Sequence, residues 1–263
     1  MAHQHSIFLS DLTTGYFRGK TEIPVTENLT SSLSCGELTC LLGPNGSGKS
    51  TLLRTLCAFQ SPLRGSIQIF GRNIGEYQPV ELAKMIAVVL TDRTDVANMT
   101  AEELVATGRS PYTGFWGKLS IEDKNAVRDA LESVGALSLG KRPVSTLSDG
   151  ERQKVMIAKA IAQHTPIVFL DEPTAFLDYP SKVETLQFLH RLAHEYDKTI
   201  FMSTHDLEIA IPLSDNLWLL DRDKGLTTGS PARLAGDGSI ARYFERPGLN
   251  FNPSTLHFNV TSI

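Results

Sequence analysis

Compact apolar runs recur along the chain, separated by Gly-rich turns and by stretches with helical spacing. Ile7 to Leu12 alternates loosely and predicts a strand. Glu37 to Leu42 is an apolar run ending in a Gly-rich turn, the pattern of a buried strand. Ser50 to Phe59 then predicts a helix. Gly65 to Phe70 alternates with Ile67 and Ile69 on one face, and Gly71-Arg72-Asn73 closes it. Met85 to Leu90 predicts another buried strand.

The middle of the chain changes character. Thr100 and Glu103 form a capping box ahead of Leu104 and Val105. Gly108 to Gly117 predicts a loop rich in Gly and aromatic residues. Ser120 predicts the cap of a helix from Ile121 to about Val134, with Val127, Leu131 and Val134 on one face. Residues 95–145 therefore predict a helical insert between two halves of one α/β core, 7–94 and 146–230. Beyond the insert, helices are expected over Gly150 to Gln163, over Ser181 to Tyr196 and near Leu207. Strands are expected over Ile167 to Leu170, Thr199 to Ser203 and Leu217 to Leu220. This alternation implies a mostly parallel sheet with helices on both faces. Residues 231–263 form a tail, and from about Gly236 its weak periodicity predicts no element.

Composition narrows the function classes. Hydrophobic residues at 41% and charged residues at 21% are ordinary for a soluble globular chain. A net charge of −4 does not favour a nucleic-acid binder, and no nucleic-acid partner is expected. No stretch approaches the ~18–20 apolar residues that span a bilayer. Met1 to Ser10 lacks the pattern of a signal peptide. The expectation is a cytoplasmic protein whose role at any membrane is peripheral. Cys35, Cys40 and Cys57 are expected to be free thiols rather than metal ligands.

The chemistry starts at Gly43-Pro44-Asn45-Gly46-Ser47-Gly48-Lys49-Ser50, which fits Gly-x-x-x-x-Gly-Lys-Ser between a predicted strand and a predicted helix. Such a turn lets backbone N–H groups face phosphate oxygens, and the new helix directs its positive end at the same anion. Lys49 can reach the β- and γ-phosphates, and the Ser50 hydroxyl is a candidate Mg²⁺ ligand. Asp171 and Glu172 end an apolar strand. Strand alternation would send Asp171 to the Mg²⁺ shell and Glu172 toward a water attacking the γ-phosphate. The plain alternative is two solvated acids in a loop. His205 ends the next apolar strand, where open α/β sheets place their sites, and a structural His is its alternative.

Together these motifs resemble the nucleotide-binding subunits of ABC transporters. Ser148-Asp149-Gly150-Glu151, within Ser145 to Gln153, resembles the family signature, usually Leu-Ser-Gly-Gly-Gln. Asp178 resembles the D-loop aspartate, His205 the switch histidine, and Tyr16 the aromatic that stacks on adenine. The likeness covers about residues 7–230, and the order of the motifs is specific to that family. It implies a P-loop NTPase with a mostly parallel central sheet, an N-terminal antiparallel β subdomain and an inserted helical subdomain. It implies ATP and Mg²⁺ as ligands, with residues 43–50 and Thr51 in the ATP site. It implies a head-to-tail homodimer in which each ATP lies between one phosphate loop and the partner's signature. Membrane permease subunits, and indirectly a substrate-binding protein, complete the expected assembly at the cytoplasmic face of the inner membrane.

Two departures from the family pattern stand out. Asp149 and Glu151 occupy signature positions usually held by Gly and Gln, and a carboxylate facing a γ-phosphate would repel it by a few kcal/mol. Both side chains are therefore expected to point away, leaving Ser148 and Gly150 as ligands. Thr91, followed by Asp92, stands where the family's Q-loop Gln is usual. Met99 to Tyr112 resembles importer ATPases that serve iron-siderophore, haem and cobalamin uptake. The Phe115-Trp116 pair beside it is expected either to receive a permease helix or to pack the helical insert. A soluble ABC ATPase in assembly or repair, and a regulator that binds nucleotide without hydrolysis, are the competing functions.

Overall fold

The computed structural model describes residues 4–90, 98–114 and 116–260. Thr91, Asp92 and Phe115 lie outside the described residues. The chain opens with a long hairpin, β1 (His5–Arg18) and β2 (Thr21–Ser34). It continues through β3 (Leu38–Leu42), α1 (Lys49–Leu56), β4 (Arg64–Ile69) and the two-residue β5 (Arg72–Asn73). Next come α2 (Pro79–Met85), β6 (Ile86–Val89), α3 (Ala101–Ala106), α4 (Ile121–Ser133) and α5 (Asp149–Ala162). Then follow β7 (Ile167–Asp171), α6 (Tyr179–Glu195), β8 (Thr199–Ser203), α7 (Leu207–Leu213), β9 (Asn216–Asp221) and β10 (Gly225–Gly229). The chain closes with α8 (Pro231–Gly236), α9 (Ser239–Phe244), β11 (Leu249–Asn252) and β12 (His257–Val260).

Two sheets carry the architecture. A six-stranded sheet has the order β10-β9-β3-β8-β7-β6, parallel except for β10. A four-stranded antiparallel sheet, β2-β1-β4-β5, packs over it. Side chains of β7 alternate between two cores. Val168 and Leu170 join one core with Leu189 of α6 and Ala210 of α7. Ile167 and Phe169 face the other, with Leu52 of α1 and Leu9 of β1. There Phe201 meets Phe169 and Trp218 edge-on, at ring-centroid distances of 5.7 and 5.1 Å. Each such side chain buried contributes about 1.5–3 kcal/mol.

Helices α3 and α4 share a small core of their own, of Leu104, Val105, Val127 and Leu131. The core extends onto Val155, Ala158 and Ala162 of α5, so this helix belongs to both layers. Arg109 locks the insert together: its Nε lies 2.9 Å from Asp123 Oδ1, and its Nη1 donates to Ala162 O at 2.8 Å.

Four parts of the chain escape the sequence pattern. Strand β2 is polar and edge-exposed, α2 buries none of its residues, and no residue of β10 is fully buried. The tail is the fourth, and it is structured. Phe258 of β12 packs against Phe251 and Phe244, and Glu208 of α7 accepts the Phe258 N–H at 2.9 Å. Among the described residues no helix is long and apolar enough to cross a membrane.

Candidate active site

Because β3, β7 and β8 run parallel, their carboxyl ends fall on one edge of the sheet, and the loops that leave them meet there. The loop after β3 wraps tightly. A Cβ on Gly43 would lie 2.1 Å from Leu220 O, and Gly48, at φ +104°, would press one within 2.8 Å of Val25 and Thr26. Gly48 caps α1 with no side-chain hydrogen bond, so the first N–H groups of the helix keep their capacity to bind an anion. The buried Ser47 Oγ has no hydrogen-bond partner among the described residues. Lys49 is buried, and its Nζ donates to Gly43 O at 2.8 Å and to Pro44 O at 3.2 Å. Burial lowers the Lys49 pKa, and the Glu172 and Asp171 carboxylates oppose that shift. Orphaned donors, a glycine-shaped cradle and a cation facing two carboxylates fit a triphosphate with its divalent ion. Pro44, Asn45, Gly46 and Ser50 are exposed, and Ser50 and Thr51 lie in the first turn of α1. Arg222, after β9, adds a support that sequence reasoning missed: its Nε donates to Gly46 O at 2.7 Å.

Asp171 and Glu172 are not two residues of one strand, so strand alternation does not set their directions. Strand β7 ends at Asp171, and Glu172 adopts φ +46°, a left-handed conformation uncommon for a residue with a long side chain. Ser203, the register partner of Asp171 on β8, holds both residues. Its Oγ donates to Asp171 Oδ1 at 2.5 Å and accepts the Glu172 N–H at 3.0 Å. The Glu172 carboxylate then stands 3.5 Å from His205 Nδ1. Asp206 accepts from Thr174 Oγ1 at 2.9 Å and from Lys182 Nζ at 2.8 Å, tying the loop after β8 to the loop after β7 and to α6. The motifs alone signalled neither Ser203 nor Asp206.

The residues expected to form the signature begin α5, with Ser148 as its N-cap. Ser148 and Asp149 are exposed, and Ser148 Oγ accepts the Glu151 N–H at 3.2 Å. The Glu151 carboxylate folds back, with Oε2 accepting the Ser148 N–H at 2.9 Å and Oε1 lying 2.7 Å from Arg142 Nη1. Those contacts, the Ser148 N–H foremost, lower the Glu151 pKa. A Cβ on Gly150 would touch Leu177 at 3.4 Å. Asp178 caps α6, its Oδ1 accepting the Ser181 N–H at 3.0 Å. Tyr16, on β1, is 54% exposed and Trp116 is 88% exposed. Tyr112 is 39% exposed, with its hydroxyl donating to Gln163 O at 3.0 Å and the Arg109 guanidinium 4.0 Å from its ring centroid.

Known proteins are similar to this chain over most of its length. The chain is 37% identical to the ferric enterobactin transport ATP-binding protein of Escherichia coli (strain K12) over 233 residues, covering 89% of this chain and 84% of that protein. It is 34% identical to the iron(3+)-hydroxamate import ATP-binding protein of Bacillus subtilis (strain 168), covering 84% of this chain and 82% of that one. The dimeric structure of a bacterial ABC transporter cassette superposes with a TM-score of 0.75 at 27% identity, covering 86% of this chain and 98% of that chain. The family model described as "ABC transporter" matches residues 26–175, more than half of the sequence, and the chain belongs to that family.

Proposed function

We propose that this chain hydrolyses Mg-ATP to drive import of an iron–siderophore complex through a membrane permease. The observation that carries the proposal is the meeting of Lys49, Asp171, Glu172 and His205 at one sheet edge. The relatives named for ferric enterobactin and iron(3+)-hydroxamate uptake support the choice of cargo. Residues Gly43 to Thr51 bind the triphosphate through N–H groups and the Lys49 ammonium. Ser50 and Asp171 would hold Mg²⁺, which when bound supplies positive charge to the phosphate oxygens. Glu172 orients the attacking water and accepts its proton, and His205 positions the Glu172 carboxylate. Tyr16 stacks on the adenine. Asp178 stands near the seam between two copies, and Thr91 takes the Q-loop position. Two copies pack head to tail so that Ser148 and the Gly150 N–H of one reach the γ-phosphate held by the other. The pair works on the cytoplasmic face of the inner membrane, under permease subunits that receive cargo from a substrate-binding protein.

The test pairs hydrolysis with assembly. Phosphate release by the purified chain should fall at least about a hundredfold in Glu172→Gln, while Mg-ATP is still retained. Equal rates in the two proteins would remove Glu172 from its role. The chain should also co-purify with an integral membrane protein from the same cells. Recovery without one would favour a soluble assembly or repair ATPase.

A further inference from the structure

A second cluster of chemistry-bearing groups stands at the opposite end of β3 from the phosphate loop. His190 and His194 lie one turn apart on α6, so their side chains share a face. Their rings stack with centroids 4.2 Å apart. Both meet Asp215, the residue before β9: its Oδ1 lies 3.6 Å from His190 Nε2 and 3.0 Å from His194 Nε2. Asp215 is itself fixed. Its Oδ2 accepts the Leu38 N–H at 2.8 Å, and its own N–H donates to Leu38 O at 3.0 Å. The donor atoms of the three residues all lie within 4.8 Å of one another.

We propose that His190, His194 and Asp215 form a binding site for a divalent transition-metal ion of the zinc class. A tetrahedral ion with bonds of about 2.0–2.2 Å separates neighbouring donors by roughly 3.3 Å. The observed 3.0 and 3.6 Å lie on either side of that value. Two imidazoles with one carboxylate select Zn²⁺, Co²⁺ or Ni²⁺ over Mg²⁺, which favours all-oxygen shells. Three protein donors leave one position for water. The side chains are between 24% and 46% exposed, so an ion enters directly from solvent. One His suffices to partner the carboxylate, and an ion gives the second a bond as well. The bound ion staples α6 to the start of β3, the strand that leads into the phosphate loop.

Titration of the metal-free full chain with Co²⁺, followed by visible absorption, tests the site. One Co²⁺ per chain with tetrahedral-type bands is expected, displaced by Zn²⁺ and not by equimolar Mg²⁺. His190→Gln and His194→Gln should each weaken binding more than about tenfold. Zn²⁺ should raise the melting temperature of the wild type and not of the double variant. A measurement without substitutions uses diethyl pyrocarbonate and mass spectrometry: Zn²⁺ should protect His190 and His194 and leave His257, beside Glu208, reactive. Equal Co²⁺ binding by wild type and double variant, displacement by Mg²⁺, or no protection of the two histidines would overturn the proposal.

Discussion

Ser203→Ala isolates one contact at the catalytic edge. Ser203 is fully buried, and Asp171 is 9% exposed. The hydroxyl makes two bonds, donating to Asp171 Oδ1 and accepting the Glu172 N–H. Its loss is not symmetric. The Glu172 N–H also donates to Ser203 O at 3.1 Å, which alanine keeps. The carboxylate oxygen of Asp171 loses a charge-assisted donor in a site with little water. That loss costs about 1.5–3 kcal/mol, against about 1 for a neutral pair.

Urea unfolding of the metal-free, nucleotide-free chain measures this cost. The folding equilibrium should fall roughly tenfold to a hundredfold. A cycle with Asp171→Asn separates the charge from the hydroxyl: in the Asn background Ser203→Ala should cost only about 0.5–1.5 kcal/mol, a coupling of about 1–2 kcal/mol. Phosphate release should drop with it, because the same hydroxyl holds the Asp171 carboxylate in place. A cost below about 0.5 kcal/mol, or the same cost in both backgrounds, would refute the assignment of Ser203 as the splint between the two acids.

Four further outcomes are expected. Arg109→Met should destabilise the chain by about 1.5–3 kcal/mol in urea, since the buried Asp123 carboxylate loses a charge-assisted donor and keeps only those of Ser120. The Ser120 N–H first, and then Arg109, hold the Asp123 pKa below its ordinary value. Its stabilisation is therefore complete above the unfolded carboxylate pKa of about 3.9 and lost as pH falls through the lower folded value, so Asp123→Asn should flatten the acid limb of a urea-midpoint profile. Gly43→Ala should weaken ATP retention more than about tenfold in equilibrium dialysis, because its Cβ meets Leu220 O at 2.1 Å; unchanged affinity would mean that the loop yields. Asp149→Gly should change ATP-driven dimerisation, followed by sedimentation, less than about tenfold; a larger rise would place that carboxylate against the γ-phosphate.

What the sequence disclosed was local. The phosphate loop, the capping box at Thr100 and the cap at Ser120 each rest on residues within one turn, and their geometry follows the spacing. Features that depend on which strands become neighbours stayed hidden. Ser203 matters because β7 and β8 pair in the register that sets it opposite Asp171, and nothing in either segment announces that register. The bend at Glu172 is held by the same pairing and lies beyond the strand over which alternation applies. The His190–His194 spacing is visible on a helix, but Asp215 reaches it only through the approach of β9 to β3. Strand β2 was missed because an edge strand carries little apolar signal. The tail was missed because Glu208, which anchors it, lies 50 residues from Phe258.

The unusual signature illustrates the same interplay of local and distant contacts. A glutamate at position 151 threatens repulsion only if its carboxylate is free to turn outward. In this chain one oxygen accepts the Ser148 N–H, completing the capping box that starts α5, and the other meets the Arg142 guanidinium. An N-terminal carboxylate also complements the helix dipole, so the position gains in the monomer from the charge that the dimer seam would penalise. Turning Glu151 toward a phosphate would break the cap and the ion pair at once, and both bonds hold it turned back. The neutralising partner, Arg142, precedes the signature by a few residues and also donates to Thr146 O at 2.9 Å. The Glu151 carboxylate is thus held by a basic residue outside the stretch that resembles the signature.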